Sequence, residues 1–438
     1  MSKVFVLTLG CDKNRVDGEE LIGRLRMAGF SVINQSEEAE AIIVNTCGFI
    51  KDAVRESIDT ILDLAEYKKE GKCRCLIVTG CMATRYKDDI IKSIPETDLC
   101  IGVGEYDLLI SELCKTLGTP KIQASEHKLP RMLARRDDII PHIAYVKISD
   151  GCDNNCTYCT IPSIRGKMKS RTIEDITEEC AELSKNGVVE FVLVAQDTAS
   201  YGMDLYGEQK LPALLEALSG FGKWIRLMYV YPERITPKLI SAFENTPNFC
   251  KYIDMPIQHC REEILQKMGR KGGKFELMQL VRVLRDRIPG INVRTTLMVG
   301  FPGETKEDFE DLYEFVKDVR FDRLGVFPYS QEDGTEAALM DNQTDEDVKE
   351  QRLAAIMELQ QKIHFENQKI LVGEILPVII DFEKDNEYIG RTQGDAYDVD
   401  SLVFISSERK LKQGDIVNIK ITEAINYDLR GIIHESAE

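Results

Sequence analysis

Cys152-Asp153-Asn154-Asn155-Cys156-Thr157-Tyr158-Cys159 follows directly on the apolar run Ala144-Tyr145-Val146-Lys147-Ile148. The cysteines are spaced C-x3-C-x2-C. Three thiolates hold three irons of a 4Fe–4S cluster and leave the fourth iron open to a small-molecule ligand. A zinc knuckle is the ordinary alternative. Structural zinc takes four protein ligands, and the next cysteine downstream is the distant Cys180. The stretch therefore reads as a cluster loop at the end of a strand.

The surrounding chain has 438 residues, a hydrophobic fraction of 43%, a charged fraction of 30% and a net charge of −18. At roughly 150 residues per domain, that length predicts about three domains of an ordinary soluble protein. The N-terminus lacks a signal peptide's long apolar core, and no window reaches the roughly 18 apolar residues of a membrane span. Thirteen cysteines without a signal point to a reducing cytoplasm and to metal or catalytic use. The acidic balance is a poor start for binding nucleic acid. It suits a basic partner or serves solubility alone.

Upstream, residues 1–125 alternate strand-like and helix-like patterns, which implies a parallel sheet with covering helices. Three apolar runs end in Gly10-Cys11, Asn45-Thr46-Cys47-Gly48 and Gly80-Cys81. Ligands bind at the carboxyl ends of strands in such folds, so Cys11, Cys47 and Cys81 are expected to converge on a second cluster. Cys73, Cys75, Cys100, Cys114, Cys180, Cys250 and Cys260 lack this placement and read as small hydrophobes. Residues 126–140 read as a charged linker with a local basic cluster at Arg131, Arg135 and Arg136.

Residues 141–371 carry six candidate strands separated by helices, the pattern of an open, partial (β/α)6 barrel of the TIM type. Chemistry in such barrels sits at the carboxyl ends of the strands. Polar residues expected there are Gln196-Asp197, Gln258-His259 and the turn Gly300-Phe301-Pro302-Gly303-Glu304. Arg294 and Thr296 alternate with apolar neighbours and either point into the barrel or, for Arg294, form a structural ion pair. His259 has the pKa of an acid–base group but is read as structural or substrate-orienting. Lys267, Arg270, Lys271 and Lys274 around Gly272-Gly273 lack P-loop spacing and read as a solvated basic turn. A long amphipathic helix over 345–371 puts Leu353, Ile356, Leu359 and Ile363 on one face. Residues 372–438 show short alternating runs that predict a small all-β barrel.

The cysteine loop resembles that of the radical S-adenosylmethionine (SAM) enzymes. That resemblance implies SAM on the open iron, and cleavage to a 5′-deoxyadenosyl radical on reduction. It places Tyr158 against the adenine, Gln196 and Asp197 at the SAM amino group, and Gln258, Arg294, Thr296, Gly300, Gly303 and Glu304 among the SAM contacts. Together with Leu9-Gly10-Cys11, Cys47-Gly48-Phe49 and Thr79-Gly80-Cys81, the chain resembles the methylthiotransferase family. There Cys11, Cys47 and Cys81 would hold an auxiliary 4Fe–4S cluster that delivers sulfur. No catalytic group beyond the six cluster ligands is implied.

The terminal barrel resembles a TRAM domain. From Leu371 onward it carries 14 acidic against 7 basic residues, which speaks against a polyanion and for a basic protein. Cys11-Asp12-Lys13-Asn14 and Val326-Phe327-Pro328-Tyr329-Ser330 also resemble the family's ribosomal-protein branch. Gly18, where these proteins often carry Ser, departs from it. The implied reaction is methylthiolation at the β-carbon of an aspartate in small-subunit ribosomal protein S-twelve. It would draw on an electron donor such as flavodoxin or ferredoxin and on a sulfur source, with no membrane and no direct transfer-RNA partner. The rival readings are methylthiolation of a transfer-RNA adenosine and a non-catalytic iron–sulfur electron carrier or RNA-binding protein.

Overall fold

The computed structural model describes residues 1–118 and 140–435. Except for Ile140, the expected linker and its three arginines lie outside the described residues. The chain forms two compact units. The first holds the N-terminal segment together with Asp150–Asn154 and Cys159–Lys169; the second holds Ile140–Ser149, Asn155–Tyr158 and the chain from Ser170 onward.

The first unit is built on five parallel strands: β1 (Lys3–Thr8), β2 (Ser31–Ile33), β3 (Ala41–Thr46), β4 (Cys75–Gly80) and β5 (Leu99–Gly102). Every residue of β3 and β4 is buried, because helices cover both faces of a parallel sheet. Period-2 alternation divides these strands between two cores. Ala41, Ile43, Cys75 and Ile77 pack with Leu21, Leu25 and Leu113. Ile42, Val44, Leu76 and Val78 pack with Ile61 and Met82. The strand order is β2-β1-β3-β4-β5, so connections reverse direction between β1 and β3. Open α/β sheets bind ligands outside the carboxyl ends at such a reversal.

The second unit carries six parallel strands: β6 (Ile143–Lys147), β7 (Glu190–Val194), β8 (Trp224–Leu227), β9 (Phe249–Asp254), β10 (Asn292–Val299) and β11 (Arg323–Pro328). They pair in chain order, and the sheet stays open with β6 and β11 at its edges. Helices Ile173–Lys185, Leu211–Ser219, Pro237–Asn245, Lys274–Arg287 and Lys306–Val319 connect them. Thr172 and Thr305 start two of these helices by accepting the backbone N–H of Asp175 and Asp308, as the Thr-x-x-Asp pattern predicts. In β10 Val293, Thr295, Leu297 and Val299 are buried, while Asn292, Arg294, Thr296 and Met298 face the other way.

Helix Glu346–Ile370 buries Ile356 and Ile363 but also Gln360, His364 and Gln368. It leads to five strands, β12 (Ile375–Lys384), β13 (Glu387–Thr392), β14 (Val403–Ser406), β15 (Ile416–Ile425) and β16 (Asp428–Ile433), which close into a barrel. Strand β13 and the β13–β14 loop of this barrel meet the open sheet through buried ions. Arg391 and Arg226 pair with Glu190, Arg323 with Asp395, and Arg294 with Asp254 and Asp400.

Candidate cluster and cofactor sites

In the first unit Cys11, Cys47 and Cys81 follow β1, β3 and β4, the strands at and beside the reversal. Backbone packing draws their loops together. Gly10 has φ +88°, and a Cβ there would lie 2.6 Å from Cys47 Cβ and 2.9 Å from its Sγ. Gly80 has φ +93°, and its Cβ would strike Asn45 Oδ1 and the Thr46 carbonyl at 2.5 Å. Only glycine combines that backbone with that proximity.

Side chains complete the tie. The Asn14 amide donates to the carbonyls of Leu9 at 2.6 Å and of Asn45 and Thr46 at 3.3 Å. Asn45 donates back to the Asn14 carbonyl, and Thr46 Oγ1 donates to the Thr79 carbonyl at 2.6 Å. Ser57 Oγ both accepts from the Cys47 N–H and donates to its carbonyl. Loops from all three strands are thereby joined by hydrogen bonds.

Burial pushes the Cys81 thiol up to about 11; Arg165 pulls it down, while the charges of Cys11 and Cys47 push it further up. Burial likewise raises Cys47, opposed by the amides of Phe49 and Gly48, and Cys11 adds to the rise. Three cysteines on loops tied to one another are a soft donor set, although among the described residues no three such side chains already stand close enough to hold a metal ion.

Cys152 and Cys159 belong to the first unit, where the Cys152 Sγ accepts the Asn154 N–H at 3.4 Å. Cys156 belongs to the second, where its Sγ lies 2.6 Å from the hydroxyl of Tyr231. The Arg270 guanidinium sits 3.8 Å from the centre of the Tyr231 ring. It donates to both Glu233 oxygens and to the Pro256 carbonyl. Burial pushes the Tyr231 phenol well above its ordinary range, so its hydroxyl keeps a proton to offer the Cys156 sulfur. Arg270 is 4% exposed, which corrects its assignment to a solvated basic turn: the Glu233 pair and the Tyr231 ring take it inside. Tyr158 is half-buried against the large core of the same unit.

The carboxyl ends of the open sheet carry most of the other sequence candidates. Gln196 follows β7, and both polar atoms of its side-chain amide are buried with no hydrogen-bond partner among the described residues. An orphaned amide at a strand mouth fits a polar ligand. Asp197 is already engaged, through Oδ2, by the Ser200 hydroxyl and by Arg234 at 3.0 Å. Gln258 has φ +70° and Tyr229 φ +60°, a strained backbone of the kind that clusters at functional sites. The Gln258 main chain bridges to β10 through the Thr296 carbonyl and the Met298 N–H.

The 300–304 turn differs from the open glycine-rich cradle expected of it. The N–H groups of Gly300 and Phe301 donate to Glu304 Oε2 at 2.7 and 3.2 Å, and Arg352 donates to Oε1 at 2.7 Å. Glu304 closes its own loop rather than offering it to a ligand. Gly303 lies beside Lys267, whose Nζ would be 2.9 Å from a Cβ there. Arg294 is also corrected as a SAM contact. It sits in the amino-terminal half of β10, and its guanidinium pairs with Asp254 at 3.0 Å and with Asp400 at 3.6 Å. His259 is fully buried and accepts the Arg261 N–H at 3.0 Å. Burial pushes it down to about 3, so it is a neutral structural imidazole.

Comparisons with known proteins cover the whole chain. The radical SAM superfamily matches residues 146–316, the uncharacterized protein family UPF0004 residues 3–102, and the TRAM domain residues 372–433. A ribosomal protein uS12 methylthiotransferase RimO of Clostridioides difficile is 46% identical over 100% of both chains. One of the same name from Desulfitobacterium hafniense is 44% identical over 98% of each. Among solved structures, the cobalamin-dependent S-adenosylmethionine radical enzyme OxsB gives a TM-score of 0.52 at 13% identity, covering 83% of this chain and 56% of that one. The radical S-adenosylmethionine methyltransferase TsrM from Kitasatospora setae gives 0.51 at 14%, covering 86% and 81%. At such identities these two speak for the fold alone.

Proposed function

This chain belongs to the RimO family of ribosomal protein uS12 methylthiotransferases, and we propose how its residues divide the reaction. It is a radical SAM enzyme that methylthiolates uS12, and that chemistry takes a 4Fe–4S cluster and SAM. We infer that Cys152, Cys156 and Cys159 ligate this cluster and that Cys11, Cys47 and Cys81 ligate a second. When bound, the first supplies the electron that cleaves SAM to a 5′-deoxyadenosyl radical, the second supplies sulfur, and a further SAM supplies methyl. The target is the β-carbon of an aspartate. An electron donor such as flavodoxin or ferredoxin and a sulfur source act alongside, in the cytoplasm. Among the described residues no helix is long and apolar enough to cross a membrane.

The chain's own share is placement. Gln196 offers a donor and an acceptor to SAM's polar groups, and Tyr158 offers a ring to its adenine. Asp197, Gln258, Thr296, Gly300, Gly303 and Glu304 shape the surrounding strand ends. Asn14, Thr46 and Ser57 hold the auxiliary loops in register, which matters because a radical and its sulfur donor must meet one carbon within a few Å.

The observation that carries the second cluster is the placement of Cys11, Cys47 and Cys81 after β1, β3 and β4, with their loops joined through Asn14 and Thr46. Iron and sulfide counting on anaerobic protein tests it. Wild type is expected to hold about eight irons and Cys11→Ala about four; an unchanged count in the variant would remove the auxiliary site. Mass analysis of uS12 and transfer RNA from a deletion strain tests the substrate. Loss of the RNA modification alone would move the reaction to adenosine.

A further inference from the structure

Helix Ile161–Arg165 lies just beyond the C-x3-C-x2-C loop, and its last residue does something the cysteines do not explain. The Arg165 side chain is 1% exposed. One terminal nitrogen donates to Asp17 Oδ2 at 2.7 Å and to Cys81 Sγ at 3.5 Å. The other donates to both oxygens of Asp150, at 3.0 and 3.2 Å. All four residues belong to the first unit. Asp17 stands on the helix Asp12–Met27 that Cys11 precedes, and Asp150 stands two residues before Cys152. One guanidinium thus joins the Cys81 helix, the Cys11 helix and the stem of the Cys152 loop.

A buried cation is costly unless paired, and here two carboxylates hold it through its two separate terminal nitrogens, a spread that the single ammonium of lysine cannot copy. The remaining reach of the guanidinium is toward a cysteine sulfur. Hydrogen bonds to cluster sulfurs and nearby charge set the reduction potential of iron–sulfur centres. A fixed positive charge favours the reduced, more anionic state.

We propose that Arg165 is a positioning residue of the auxiliary cluster, donating to the Cys81 sulfur and raising that cluster's reduction potential. This rests on Cys11, Cys47 and Cys81 being its ligands. Asp17 works against Arg165 electrostatically while holding it in place, so the two side chains bias the potential in opposite directions. Because Arg165 and Asp150 flank the cysteine loop in sequence, the same contact fixes the stem of that loop against the Cys81 helix.

The test is a redox titration, followed by electron paramagnetic resonance, of full-length protein carrying Cys152→Ala, Cys156→Ala and Cys159→Ala, so that only the auxiliary cluster reports. In that background Arg165→Met is expected to lower the midpoint, with about a tenfold drop in the reduced-to-oxidised ratio at the parent's midpoint. Arg165→Lys is expected to give a smaller drop. Asp17→Asn is expected to shift the midpoint upward. Absence of iron from the triple-cysteine background itself would overturn the auxiliary site. A parent with about four irons and an unshifted midpoint in Arg165→Met would overturn the role of Arg165 and leave the site standing. Should Arg165→Met fail to hold iron, the opposed shifts of Arg165→Lys and Asp17→Asn decide; shifts of the same sign would overturn the proposal.

Discussion

A Cβ on Gly18 would come within 2.1 Å of Thr8 Oγ1 and 3.1 Å of Thr8 Cβ. This explains the one departure from the family pattern: Thr8 at the end of β1 occupies the space that a serine at position 18 would need. His259 shows a second residue-scale effect. Its unfolded imidazole takes a proton near 6.5, but burial delays protonation in the folded chain to about 3. The folded pKa is depressed, so below 6.5 the unfolded state binds the extra proton and stability falls as pH falls through that interval. Glu304, pushed by burial up to about 7, works in the opposite sense over the same range. The difference between variants is therefore the readout. Between pH 7 and pH 5 the stability of wild type relative to His259→Asn should drop by about 2 kcal/mol, measured as urea midpoints at each pH. Parallel midpoints for the two proteins would show that His259 is not the group responsible. At this scale the placement of Cys11, Cys47 and Cys81 just past three strand ends was legible, because each follows an apolar run and stands beside or near a glycine. Arg165, Tyr231 and Arg270 were not. Their partners lie 148, 75 and 37 positions away, and an isolated arginine or tyrosine carries no local sign of what it will meet.

Among the elements, β3 and β4 announced themselves by unbroken apolar runs that only a strand covered on both faces requires. β2 and β5 passed unnoticed because three or four residues are too short for periodicity to register. The helix Glu346–Ile370 was legible as a helix but not in its burial. Gln360 donates to the Phe321 carbonyl and Gln368 to the Tyr427 carbonyl, so polar residues are taken inside wherever a strand end or the terminal barrel offers an acceptor. The carboxyl ends of the open sheet present the reverse case, in which a polar group is buried without one. The Gln196 amide gives up no hydrogen bond to the described residues when removed, since it has none there. Gln196→Ala should therefore leave the thermal midpoint unchanged or slightly raised, because an unsatisfied buried amide costs about 1–3 kcal/mol. Its affinity for SAM should fall by about tenfold, the effect of one lost hydrogen bond of ~1.4 kcal/mol. Equilibrium binding of SAM to the reconstituted, unreduced protein reads this directly. A lowered midpoint with unchanged SAM affinity would make Gln196 a packing residue.

Across the second unit, the terminal barrel is bound to the open sheet by charge. Three of its acidic residues, Asp381, Asp395 and Asp400, are 4% exposed or less at the side chain. They pair inward with Arg391, Arg323 and Arg294, and Asp381 also meets His142 at 2.7 Å. The barrel's negative charge, read from sequence as a surface for a basic partner, is thus partly spent inside. Composition counts charges without saying which way they face. At the centre, Glu190 is fully buried between Arg226 and Arg391. Burial pushes its carboxyl up, but the charges of Arg391 and Arg226 outweigh burial and hold it at about 2. A buried pair contributes little beyond an apolar substitute of the same shape, whereas removing one partner strands the other. Arg391→Met alone leaves Asp381 without its guanidinium and Glu190 with one arginine instead of two. It should destabilise the unit by about 3–5 kcal/mol. Glu190 keeps Arg226 in this variant, so adding Asp381→Asn removes the stranded charge, and the double variant should recover most of that loss. Urea unfolding of the three proteins distinguishes the cases. Equal destabilisation in the single and double variants would mean that lost packing around Arg391, rather than stranded charge, is what joins the barrel to the sheet.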